Sequence, residues 1–173
     1  MKSLAAIVAL AALTLPAAAD TAQQFANKVA ISDMFEVESS KLIQEKSTQG
    51  AVKDFARKMV EDHTKTSNEL RTTAREIKGI ELPMRLDADH QKKLDALRTA
   101  SANQLDQLYK TDQIEAHQTA VKLFEDYAKS GDNAQLKSWA QKVLPDLGHH
   151  LEMAQRLPSA PAPTTGSGPA PKR

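Results

Sequence analysis

The sequence predicts an all-α protein, a ferritin-like four-helix bundle with a long crossover that carries a short helix between helices 2 and 3. Apolar residues recur at spacings of three and four along four long segments, the pattern of a helix with one buried face. Aromatic residues make up only 4% of the chain, which suits closely packed helices better than a sheet. Short breaks pair the segments into two hairpins, and two hairpins joined by a long crossover give ferritin-like connectivity.

The first hairpin is predicted between residues 22 and 78. Its first helix opens at a capping-box pattern, Thr21 followed by Gln24, and ends before the polar break that leads to Gly50. Its second helix extends to residue 78, and Gly79 is expected in the left-handed conformation that commonly follows a helix.

The crossover and the second hairpin occupy the rest of the predicted bundle. A short amphipathic helix is expected between residues 87 and 99, inside the crossover. The third long helix opens at Ser101, and Gly131 separates it from the fourth. Pro145 falls inside the fourth helix and is expected to bend or split it near Lys142.

Residues 1–19 are predicted to be a signal peptide. Lys2 supplies the positive charge, an apolar run follows, and three alanines precede Asp20 as a cleavage site. The alternative is an N-terminal membrane anchor, but the apolar run is shorter than the roughly 18 to 20 residues that span a bilayer. The predicted location is therefore the periplasm, with outer-membrane association or secretion as variants.

Residues 20–157 are predicted to form the ferritin-like bundle domain, and residues 158–173 a disordered tail. The tail is rich in proline, alanine, glycine and serine, a composition that cannot bury a core. No segment after the leader has the sequence of a membrane span.

The charge balance limits the class of partner. The chain has 23 basic and 22 acidic residues, and loss of Lys2 with the leader makes the two numbers equal. This balance argues against nucleic acid or an anionic membrane surface as the main partner. The chain has no cysteine, so its stability must come from packing rather than from disulfides.

Each long helix places one ionisable residue on its predicted buried face. These residues are Glu36, His63, His117 and His150. Counting from Gln49, Glu36 lies 13 residues before the first turn and His63 lies 14 after it, so both are about 20 Å from the turn and should face each other. Counting from Gly131, His117 lies 14 residues before the second turn and His150 lies 19 after it, which places His150 about one helical turn too deep.

This set predicts a metal site with one ligand from each long helix. Three imidazoles and one carboxylate suit a single zinc, copper or iron ion. The alternative is a buried polar network without a metal, in which Glu36 accepts a hydrogen bond from His63. A di-iron centre of the ferritin type is excluded because the Glu-x-x-His motif is absent.

Two functions from different classes follow from these alternatives. The first is an exported metal-binding bundle that acts in envelope metal handling or stress tolerance. The second is a structural or interaction module of the cell envelope, which binds an envelope protein partner and uses its polar network to fix helix register. A third option, a redox enzyme that uses the same site, is weaker because no substrate pocket can be inferred. The chain also has no cysteine nucleophile, no glycine-rich phosphate loop and no Gly-x-Ser-x-Gly or His-Glu-x-x-His motif.

Several stretches resemble a bacterial envelope family, the one catalogued as domain of unknown function 4142. The specific part is a Phe-Ala-x-x-Met sequence that begins at Phe55 and runs into Asp62-His63, supported by Phe35-Glu36 and by Leu82-Pro83. The similarity covers roughly residues 22 to 157. It implies a ferritin-like helical fold and export, and several members carry an outer-membrane label.

The resemblance also implies that the polar set is shared. In the family an acid and three histidines recur, and these map onto Glu36, His63, His117 and His150. The family has no established activity, so the resemblance implies a fold and a compartment but no reaction.

Overall fold

The computed structural model describes residues 20–158, which fold into five helices and no strand. The predicted signal peptide and residues 159–173 of the predicted tail lie outside the described residues. The helices are α1 (Ala22–Lys46), α2 (Gly50–Glu76), α3 (Ala88–Thr99), α4 (Ala102–Ser130) and α5 (Ala134–Arg156). The all-α prediction is confirmed, and the short α3 lies in the crossover where the sequence predicted it.

Local sequence signals account for most helix ends. The capping box at the start of α1 is present, because the Thr21 side chain accepts from the Gln24 backbone while the Gln24 side chain accepts from the Thr21 backbone. The helix α2 ends at Glu76, two residues before the predicted end. Gly79 has a φ of 87°, so the chain leaves the hairpin through the left-handed residue that the sequence predicted.

The helix α5 continues through Pro145. Of the two outcomes predicted for Pro145, a bend or a split near Lys142, the split is wrong. Proline inside a helix costs about 3 kcal/mol, but Val143 and Leu147 on either side of it are both buried in the core. Burial of two such side chains contributes about 3–6 kcal/mol, enough to hold the helix together.

The core consists of two apolar clusters. In the first, the rings of Phe25 and Tyr127 stack with centroids 4.0 Å apart. The second surrounds Phe35 and Met59 and includes Tyr109, whose hydroxyl bonds to the Ser40 hydroxyl at 2.6 Å. Along α2, α4 and α5 a buried histidine falls between residues of the two clusters, so a polar layer separates them.

Within residues 20–158, no helix combines the length and the apolar character that a bilayer crossing requires.

Candidate metal centre

Three histidines from three helices meet in the polar layer. His63, His117 and His150 expose 4%, 1% and 3% of their surface. Their ring centroids are 5.4–5.6 Å apart, and one ring nitrogen of each lies within 4.8 Å of the others. We call these residues the histidine triad. Among the described residues, no carboxylate joins the triad within that distance.

A hydrogen bond orients each ring through one nitrogen. Nδ1 of His63 donates to Oδ1 of Asp33 at 2.8 Å, and Nδ1 of His117 donates to the Gln113 carbonyl oxygen at 2.9 Å. Nε2 of His150 donates to Oδ2 of Asp62 at 2.7 Å. Because carboxylates and carbonyl oxygens only accept, the bonded nitrogen of each ring carries the hydrogen, and a neutral ring then has its lone pair on the other nitrogen.

The remaining three nitrogens are buried without a hydrogen-bond partner. They are Nε2 of His63, Nε2 of His117 and Nδ1 of His150. A buried polar atom without a partner costs about 1–3 kcal/mol. Three such atoms on neighbouring rings are therefore a costly arrangement unless something binds between them.

Asp33 forms the outer layer on one side of the triad. Besides His63, it accepts from the hydroxyls of Thr66 at 3.1 Å and Ser67 at 3.3 Å. A carboxylate that holds the second nitrogen of a ligating histidine is the usual outer contact in metal sites. The sequence analysis missed Asp33. It lies three residues before Glu36, which turns it about 60° from that residue toward α2.

Asp62 forms the corresponding layer on the other side, where it bridges His150 and Lys58, whose Nζ lies 2.8 Å from Oδ2. Asp62 was not among the predicted site residues. The position of Asp62 directly beside His63 in the chain was the only sequence signal for this role.

Glu36 is buried but belongs to a different contact. Its Oε2 accepts from Nε2 of Gln113 at 2.6 Å, and its Oε1 is buried without a partner. The predicted hydrogen bond between Glu36 and His63 is absent, because Asp33 occupies Nδ1 of that ring. Glu36 therefore lies beside the triad, facing α4.

His150 reaches the triad despite the depth predicted for it. Residues 131–133 form the loop between α4 and α5. The depth of each histidine in the bundle is therefore counted from the end of α4 or the start of α5. His117 lies 13 residues before the end of α4, and His150 lies 16 after the start of α5. The offset is then about 4.5 Å rather than a full turn or more.

The electrostatics keep two of the three rings neutral. Burial, reinforced by the charge of His63, lowers the pKa of His117 to about 4. Burial and the charges of His63 and His117 likewise lower the pKa of His150 to about 4. Burial also acts to lower the pKa of His63, but its hydrogen bond to Asp33 and the nearby carboxylates outweigh burial and raise it. A proton on the triad is therefore held by His63.

The buried acid beside the triad has a perturbed pKa of its own. Burial raises the pKa of Glu36, and it is opposed by the charge of His63 and the hydrogen bond from Gln113.

A transition-metal ion fits this donor set. Ligand distances of about 2.0–2.1 Å require nitrogens about 3.3–3.5 Å apart. One nitrogen of each ring lies within 4.8 Å of the others, so the ligating atoms need to close by no more than about 1.5 Å. The outer contacts through Asp33, Asp62 and the Gln113 carbonyl hold the rings in the ligating tautomer.

The family model described as Domain of unknown function (DUF4142) matches residues 8–157. The chain belongs to this family. No curated protein matches the chain.

Several solved structures share the fold at low sequence identity. CopM in the Cu(II)-bound form has a TM-score of 0.67 and 17% identity, over 80% of this chain and 95% of that one. CopM in the Cu(I)-bound form has a TM-score of 0.65 and 18% identity, over 78% and 92%. A DUF305 fragment from Deinococcus radiodurans has a TM-score of 0.66 and 13% identity, over 76% and 91%.

Proposed function

We propose that this member of the DUF4142 family is an exported copper-binding protein that holds one ion in the histidine triad and acts in envelope metal handling or stress tolerance. One observation carries the proposal: three buried histidines from three helices each place a ring nitrogen within 4.8 Å of the others, and each has a buried ring nitrogen without a hydrogen-bond partner. A bound cation removes the cost of leaving them unpaired, and the outer hydrogen bonds already select the ligating tautomers.

Copper is favoured over the two other metals predicted, zinc and iron. Among the described residues the triad contains three imidazoles and no carboxylate, and such a nitrogen site binds divalent copper and zinc more tightly than divalent iron. Between these two, divalent copper binds a given nitrogen site more tightly. Structures of the same fold hold copper and silver in CopM. Glu36, the fourth residue of the predicted set, lies outside the group, and its role as a ligand stays a prediction.

The test is metal analysis of the chain from Asp20 to Arg173, purified without an affinity tag. We expect about one equivalent of copper that survives dialysis and is not displaced by equimolar zinc. Binding should release a proton wherever His63, whose pKa is raised, is protonated, because this ring must lose its proton to become a ligand.

The competing function, an envelope interaction module with a metal-free polar network, predicts a different result. Copper would then bind below stoichiometry and be lost on dialysis. Its addition would leave the melting temperature unchanged.

A further inference from the structure

A wide cleft reaches the histidine triad from one side. It has a volume of about 1080 Å³, lies against α1, α3 and α4, and has His63, His117 and Glu36 among its lining residues. His63 and His150 also line a second cavity, of only about 40 Å³. An ion therefore has one spacious approach to the triad.

His90, the histidine of α3, also lines this cleft. It is partly exposed, and its ring packs edge-on against Phe35 with centroids 5.4 Å apart. Its Nδ1 donates to Oδ1 of Asp87 at 2.8 Å, and the same oxygen caps the start of α3 by accepting from the His90 backbone. The helix cap thus fixes the ring and leaves Nε2 as the nitrogen available to a cation.

Glu36 lines the same cleft as His90 and as His63 and His117 of the triad. It follows Phe35 in the chain, lines the cleft and is 1% exposed. Gln113 holds its Oε2, while its Oε1 is buried without a partner.

The other charges at the mouth largely neutralise one another. Lysines pair with acids at 2.7–2.9 Å in three places, and these pairs are Lys28–Asp20, Lys93–Glu115 and Lys122–Asp126. An acid already paired with a lysine is a poor ligand for a passing cation. In both His90 and Glu36 one hydrogen bond orients the side chain and a second atom remains as a possible metal ligand. These atoms are Nε2 of His90 and Oε1 of Glu36.

We propose that copper reaches the triad through this cleft and is held on the way by Nε2 of His90 and Oε1 of Glu36, a second and weaker metal position. This inference rests on the proposed function. A residue that binds an ion only in transit changes the rates of loading and release by the same factor, since the two end states are unchanged.

The experiment measures loading of the full mature chain with copper sulfate and release into a chromogenic chelator, both by stopped flow. We expect His90→Ala to slow both processes by roughly tenfold and to leave the dissociation constant within about twofold of wild type. His149→Ala is the matched control, because it removes an exposed imidazole outside the cleft. It should leave both rates unchanged.

Glu36→Gln provides the second arm, since it keeps an acceptor for Gln113 and removes the carboxylate. It should slow both rates in the same way. Equal rates in wild type and His90→Ala would overturn the route while leaving the triad intact as a binding site. A dissociation constant raised more than about tenfold in Glu36→Gln would also overturn it, by placing Glu36 in the final coordination shell. Failure of the wild-type chain to bind copper refutes the proposed function itself.

Discussion

His117→Ala protein is expected to bind no copper tightly while keeping its helical fold. The substitution removes one of three nitrogen donors, so affinity should fall by more than the roughly 10- to 100-fold that loss of an outer contact causes. In the wild-type chain Nδ1 of His117 bonds only to the Gln113 carbonyl oxygen within α4. The substitution therefore leaves no buried charged group without its partner. A competition titration against a copper chelator, with far-ultraviolet circular dichroism of the same samples, checks both parts.

His63→Ala should lose copper to the same extent but should also cost stability, because it leaves the buried Asp33 with hydroxyl donors alone. His149→Ala is the control, one residue from the triad and exposed. If His149→Ala loses copper as fully as His117→Ala, or if His117→Ala retains it, the triad is not the binding site.

The metal-free protein should lose stability steeply below pH 6.5. His117 and His150 have a pKa of about 4 in the folded chain, against an ordinary value of 6.5. Between these values the unfolded chain binds more protons, so the free energy of unfolding falls as the pH falls. His63 has a raised pKa, so its contribution is fully present below 6.5 and does not change across this window.

The size of this effect is large enough to measure. Two such groups lower the free energy of unfolding by about 3 kcal/mol between pH 6.5 and pH 5. In the double variant His117→Leu/His150→Leu this part of the loss should disappear, while His149→Leu should retain it. Urea unfolding at both pH values, with a chelator present, checks the prediction. Equal losses in wild type and the double variant would show that the two buried rings are not held neutral.

The sequence was sufficient to predict the helices and which histidines point inward. Spacings of three and four placed His63, His117 and His150 on buried faces, and all three are buried. That pattern depends only on the period of a helix, which the chain itself fixes. The loop between α4 and α5 was counted as helix, which is why His150 was placed too deep.

The partners of the triad could not be predicted, because they depend on how the helices are rotated against each other. Asp33 and Glu36 differ by about 60° around α1, and that angle decides which of them meets His63 and which meets Gln113. Asp62 lies at the edge of the α2 face that packs against α5. Its ion pair with Lys58 is formed within α2, whereas its hydrogen bond from His150 comes from α5 and depends on how the two helices pack. Periodicity distinguishes inside from outside but not one neighbouring helix from another.

The most direct test of the central claim is anomalous diffraction from crystals of the copper-loaded protein, recorded on both sides of the copper absorption edge. We predict one strong peak at about 2.0–2.1 Å from Nε2 of His63, Nε2 of His117 and Nδ1 of His150. A triad filled by water, with copper peaks only at surface histidines, would contradict the account and leave the polar layer as a structural network.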